Sequence, residues 1–364
     1  MKLKIAKDQL LKGLQITQGV IGTRSTLPIL ANVLLETDGD KLWLTATDLE
    51  VSVRCPIPAD IEEAGSTTLP AKRLFSIIRE LSSADLSIEV DEKNSAAVTC
   101  GSSFFKILGM PREEFPPLPK FDSGYAYTID QAVFKDMLNK TFYAASNDET
   151  RQFLNGVLLS FKNDKLTAVA TDGRRLALIE HEMECPKDSE ADMIVPSKAV
   201  TELLHSLGTE GTINIRAVKN QIAFEYGELF LLSKLIEGTY PNFRQVIPSQ
   251  AEHRIQIERE TLLSAVKRVA LLTSDRSNSV KLTFAKNKVV VSAQTPDIGE
   301  AHESIPIKFT GAELNVAFNP EFIMDPLRHL MADEVYLEFN DELSPGVIKC
   351  DTPFLYVLMP MRIG

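Results

Sequence analysis

Apolar and polar positions change period several times along the chain, and the order of those changes repeats. Leu10, Leu11 and Leu14, and later Leu262, Leu263 and Val266, keep the three-to-four spacing of a helix face. LSIEV (from Leu86) and VYLEF (from Val335) alternate instead, as strands with one buried and one wet face do. A shift of 124 residues lays Leu42 on Leu166, Ala46 on Ala170, Thr47 on Thr171 and Asp48 on Asp172. The same shift places IAKDQLLKGL (from Ile5) over IDQAVFKDML (from Ile129). A weaker third copy opens at IQIERETLLSAVKRVALL (from Ile255), and its KVVVSAQT (from Lys288) lies under KLWLTATD (from Lys41). TLPAKRLFSIIREL (from Thr68), IVPSKAVTELLHSL (from Ile194) and AFNPEFIMDPLRHL (from Ala317) hold matching places, with Pro320 well set as a first helical residue.

Each copy therefore reads as strand, helix, strands, helix, strands: an α+β unit with helices on one side of antiparallel sheet. Pro-rich MPREEFPPLPKFDSG (from Met110) and VIPSQAEH (from Val246) read as linkers between copies. The expected domains are 1–122, 123–250 and 251–364, each of ordinary domain size. Like modules in series curve regularly and can close on themselves.

Composition narrows the function. The 364 residues are 44% hydrophobic and 24% charged, as in a water-soluble globular protein. No run of eighteen apolar residues offers a membrane span. The opening MKLKIAKDQLLKGL has no apolar core of a secretion signal, and Cys55, Cys100, Cys185 and Cys350 lie far apart. A cytoplasmic protein without membrane contact is expected.

The net charge of −11 argues against a simple nucleic-acid binder but not against one with segregated charge. The six helical segments together carry +5, which leaves −16 on the rest of the chain. Lys and Arg also suit any solvated helix face, so this charge acquires meaning only through the repetition. Six domains of this size in a ring leave a hole of roughly 35 Å, while three leave roughly 5 Å. B-DNA is roughly 20 Å across, so two chains would be needed to surround it.

Enzyme chemistry finds little support. Asp48 and Asp172 occupy equivalent places a full domain apart, beyond the roughly 5–9.5 Å of a glycosidase pair. The five histidines show no metal spacing, and no phosphate-binding loop motif is present. No catalysis, metal or cofactor is expected. A monomeric repeat adaptor that binds only peptides stays open as an alternative.

Seven motifs in order make the chain resemble the bacterial DNA polymerase III β subunit family, the sliding clamps, over its whole length. They are TLPIL (from Thr26), TATDLE (from Thr45), FLNGVLL (from Phe153), VATDGRRLA (from Val169), IVPSKAV (from Ile194), SKLIEGTYPNFRQVIP (from Ser233) and YVLMPMR (from Tyr356). The resemblance implies the DNA clamp fold and a head-to-tail homodimeric ring around duplex DNA. It implies a processivity factor, put onto DNA by a clamp loader and acting at the nucleoid during replication. Its partners would be the polymerase III α subunit, other polymerases and further proteins with short Leu/Phe motifs.

The same resemblance implies a peptide groove between the second and third domains. Its residues here are Leu154, Thr171, Gly173, Arg174, Arg175, Leu176, Pro241, Val246, Leu343, Val357, Met359, Pro360, Met361 and Arg362. Methionines suit varied partners, Gly173 permits close backbone approach, and Arg175 and Arg362 are cations able to meet peptide carbonyls or a carboxylate. Two positions depart from the family's pattern: Gln245 stands where an Arg is usual, and Arg174 where a His is frequent. The dimer contact carries over as Arg73, Ile77, Phe105 and Ile107 against Leu271 and Leu272, although helical periodicity alone would bury the last two. Arg24, Arg79, Lys198 and Arg276 are the expected DNA-facing residues.

Overall fold

The computed structural model describes every residue except 23–26, 83–84, 120–123, 187–188, 219, 275–277, 297 and 363–364. Each copy supplies two helices: α1 (Lys7–Gln18) and α2 (Ala71–Glu80), α3 (Gln131–Thr141) and α4 (Ser197–Ser206), then α5 (Arg259–Val269) and α6 (Pro320–His329). Pro320 does open α6, and the Asn319 side chain caps it by accepting from the Glu321 amide. α1 buries Leu10, Gly13, Leu14 and Thr17. A Cβ on Gly13 would stand 2.5 Å from Ile57 Cδ1, so glycine sets how closely α1 lies on the strand Val51–Pro58.

The strands are antiparallel throughout, but each copy divides them between two sheets where the sequence suggested one. The chain forms two compact units that cut across the copies. The first unit joins Met1–Lys135 to Lys198–Leu235. Its eight-stranded sheet takes four strands from each of the first two copies, and they meet where Leu229–Lys234 pairs with Val51–Pro58, Phe230 opposite Arg54. The second unit joins Asp136–Ser197 to Ile236–Gly364. Its eight-stranded sheet is made likewise, from Arg175–Glu182 against Phe354–Leu358, Arg175 opposite Leu358. Pairing the edge of one copy with the next removes a free edge that a separate domain would expose.

Each unit also holds a smaller sheet from one copy alone. In the first unit a five-stranded sheet ends on Ser103–Leu108, where Phe104 is 63% and Leu108 74% exposed. In the second a four-stranded sheet has Gly299–Pro306 and Leu314–Phe318 as its outer strands. No described helix is long and apolar enough to cross a membrane.

Candidate functional site

The second-copy motif VATDGRRLA folds as a strand, a tight turn and a returning strand. The Thr171 hydroxyl donates to the Arg175 carbonyl at 2.6 Å and accepts from the Gly173 amide at 3.0 Å. Asp172 Oδ1 accepts from the amides of Arg174 and Arg175 at 2.8 and 3.0 Å. These bonds close the turn with Gly173 in the left-handed region, φ 87°. A Cβ there would stand 2.9 Å from Arg151 Nη1, so the bare glycine also holds space open.

The register brings the expected floor residues together. Thr171 lies opposite Leu176, and Leu176 opposite Val357. Leu154, Thr171, Leu176 and Val357 are all buried, while Gly173, Arg174, Pro241, Val246 and Met359 are exposed around them. The Met359 amide donates to the Arg174 carbonyl at 2.9 Å, which ties the last strand to the turn. Leu176 and Val357 belong to an apolar cluster with Leu158, Val169 and Ile194, against which Phe153, Tyr240, Phe243 and Ile247 pack. Leu154 ends the short helix Glu149–Leu154, capped by Asp148. Hydrogen bonds from the Thr150 hydroxyl and amide, then from Arg151, lower the Asp148 carboxyl to about 2.

The chain end runs on past this floor. Met361 donates its amide to the Ala317 carbonyl at 2.7 Å. Met361 and Arg362 border a cavity of about 1210 Å³ with Lys281, Gln294 and His302. Leu343 is 77% exposed in a turn where Asp341 accepts from the Leu343 and Ser344 amides.

Arg175 departs from the expectation of a cation free for peptide carbonyls. Its Nε donates to Asp172 at 3.1 Å, its Nη1 to Asp325 and its Nη2 to the Tyr143 carbonyl at 2.6 Å. The guanidinium also lies 4.5 Å over the Phe322 ring, and the side chain is only 11% exposed. Asp325, Phe322 and Tyr143 were not singled out from sequence, because they lie on segments whose approach to Arg175 no local pattern encodes.

The other expected residues fare unevenly. Arg79 is exposed and pairs with its neighbour Glu80. Lys198 is engaged within the first unit, by Asp48 and by the Val20 carbonyl at 2.6 Å. Arg24 and Arg276 lie outside the described residues. Leu271 is 77% exposed, so helical periodicity misjudged it as core, and Leu272 is half-buried. Arg73 and Phe105 are exposed and Ile77 half-buried. Ile107 corrects the expected set. It is 3% exposed, packed into the protein's own interior, while Phe104, Phe105 and Leu108 on the same strand are exposed.

Tandem α+β modules that fuse their sheets across each boundary define the DNA-clamp class of protein. Models of the three domains of the DNA polymerase III beta subunit match in order: the N-terminal domain over residues 1–119, the central over 128–242 and the C-terminal over 244–362. The chain belongs to the DNA polymerase III beta subunit family. It is a sliding clamp, a processivity factor of DNA replication. The beta sliding clamp of Chlamydia muridarum is 38% identical over the whole chain and 99% of that protein, and that of Escherichia coli K12 is 32% identical over all of both. Among solved structures, the Pseudomonas aeruginosa clamp bound to griselimycin matches with a TM-score of 0.95 at 31% identity, both chains fully covered. The Bacillus subtilis clamp matches with a TM-score of 0.94 at 28% identity, again over both chains in full.

Proposed function

We propose that this clamp works as a head-to-tail homodimeric ring around duplex DNA, without catalysis of its own. In this reading the domains are 1–122, 123–250 and 251–364, and the protein acts in the cytoplasm. Clamp loader, polymerase III α subunit and other partners insert Leu and Phe anchors between exposed Met359, Pro241 and Val246, above the floor of Leu154, Thr171, Leu176 and Val357. The observation that carries the groove is this floor: buried Leu176 and Val357 in strand register beside the Gly173 turn, with Met359, which bonds that turn, exposed above them. Pro360 and exposed Arg174 extend it, and the chain end continues through Met361 and Arg362 to the cavity beside Lys281, Gln294 and His302.

Exposed Phe104 and Leu108 on one outer strand, and exposed Leu271 beside the other small sheet, support the dimer, because free apolar sheet edges seek partners. Retention on DNA tests the ring. Protein on nicked circular DNA should survive a salt wash and fall off when the circle is cut, since topology resists the counterion effects that weaken direct contact. Equal loss from circles and linear fragments would exclude encirclement.

A further inference from the structure

Two turns in this chain share one bonding pattern. In the first copy the Thr47 hydroxyl donates to the Val51 carbonyl at 3.3 Å and accepts from the Leu49 amide at 3.0 Å. Asp48 Oδ1 takes the Glu50 and Val51 amides at 2.9 and 2.7 Å, and Leu49 sits at φ 75°. Thr171, Asp172 and Gly173 repeat every one of these features in the second copy. The following strand is gripped alike too: the Lys234 amide reaches the Glu50 carbonyl at 2.8 Å as the Met359 amide reaches that of Arg174 at 2.9 Å.

The difference lies in where the cation comes from. In the first copy Asp48 Oδ2 is taken by Lys198 of α4, the second helix of the next copy. In the second copy Asp172 Oδ2 is taken by Arg175 of the turn itself, which then reaches Asp325 of α6, again the second helix of the next copy. Val51 stands where Arg175 does, and Glu202, at the helix position of Asp325, is buried without a turn cation. Each turn is thus joined by charge to the next copy's second helix, with the cation on opposite sides of the joint. The helix positions differ as well, since Lys198 stands where Glu321 does, so the two copies share a charged link between turn and helix but not its residues.

We propose that Arg175 is a positioning residue for partner binding: its ion pair with Asp325 sets α6 against the Asp172 turn, and a bound peptide senses it only through that placement. Three of the five guanidinium N–H groups donate internally, one face covers Phe322, and the side chain is only 11% exposed, so it is held by the fold rather than offered to a peptide. This inference rests on the groove reading above.

The test is anisotropy titration of a labelled peptide with Leu and Phe anchors against the full-length dimer. Asp325→Asn should weaken binding about tenfold or more, although Asp325 is not a wall of the groove. Arg175→Ala should weaken it similarly, and the double variant no further, because both remove one link. The exchanged pair, Arg175→Asp with Asp325→Arg, should regain part of the affinity. Sedimentation should show intact dimers throughout. Additive losses, or an Asp325→Asn protein that binds normally, would overturn the proposal. Should Asp325→Asn not fold, the exchanged pair decides: recovery over Arg175→Asp alone supports the link, and a folded pair with no recovery refutes it. Met359→Ala, run in parallel, reads the groove itself. If that change leaves binding intact, the groove assignment fails; if only the Asp325 variants bind normally, the positioning role alone fails.

Discussion

The Glu202 carboxylate packs directly on Gly19 at the end of α1: a Cβ on Gly19 would stand 2.2 Å from Glu202 Oε2 and 2.3 Å from Oε1. Gly19 has an ordinary helical backbone, φ −64°, so the glycine is needed for space and not for conformation. An alanine Cβ must push aside the Glu202 carboxylate, the end of a flexible side chain, and because Glu202 is only 6% exposed that shift should destabilise the protein by about 1–3 kcal/mol. That outweighs the roughly 0.5–1 kcal/mol by which alanine favours a helix over glycine. Glu202→Ala in the same protein should relieve the effect. Denaturant midpoints for the single and double variants check this, and an unaffected Gly19→Ala protein would show that Glu202 swings away freely.

The same contact gives a pH dependence. Burial raises the Glu202 carboxyl above its ordinary range, while His205 and Lys198 pull it back. A raised acid favours its neutral form when folded. Its stabilising contribution is complete below the unfolded value and is lost as pH rises through the folded one. Glu202→Gln should then be more stable than the natural protein at neutral pH, with the gain vanishing in acid. A gain independent of pH would assign the effect to packing.

Leu271→Ala with Leu272→Ala should give folded monomers. Leu271 is 77% exposed in the single chain, so truncating it costs the fold little. At a dimer contact each leucine would be worth roughly 2–5 kcal/mol if fully buried there. Sedimentation alongside circular dichroism distinguishes the outcomes: unfolding would make them core residues, and an unchanged dimer would move the interface elsewhere.

Thiol labelling should be selective. Burial pushes the Cys55 thiol up to about 12, so it offers little thiolate, and Cys100, 5% exposed, lies out of a reagent's reach. Cys185 and Cys350 are half-buried and free. A thiol reagent on the native protein should modify these two, and all four cysteines only after denaturation. Mass mapping of the modified peptides reads the result, and rapid labelling of Cys55 would contradict its place in the sheet.

Periodicity and repetition were enough to place six helices, antiparallel strands and three like copies, because those patterns are local consequences of 3.6- and 2-residue spacing. The Thr-Asp turns are equally local: an Asx side chain bonding amides two and three residues on needs nothing beyond its own neighbours. Tertiary structure decided what local spacing cannot carry. It exposed Leu271, which helical spacing would bury, and buried Ile107, which the resemblance had turned outward. It fused sheets across the copies, so that Leu176 meets Val357 from the far end of the chain. It also closed Arg175 on Asp325, 150 residues away, and turned an apparent ligand cation into an internal tie. A side chain's freedom depends on which distant charge packing brings beside it, and that follows from the approach of whole elements and not from its own neighbours.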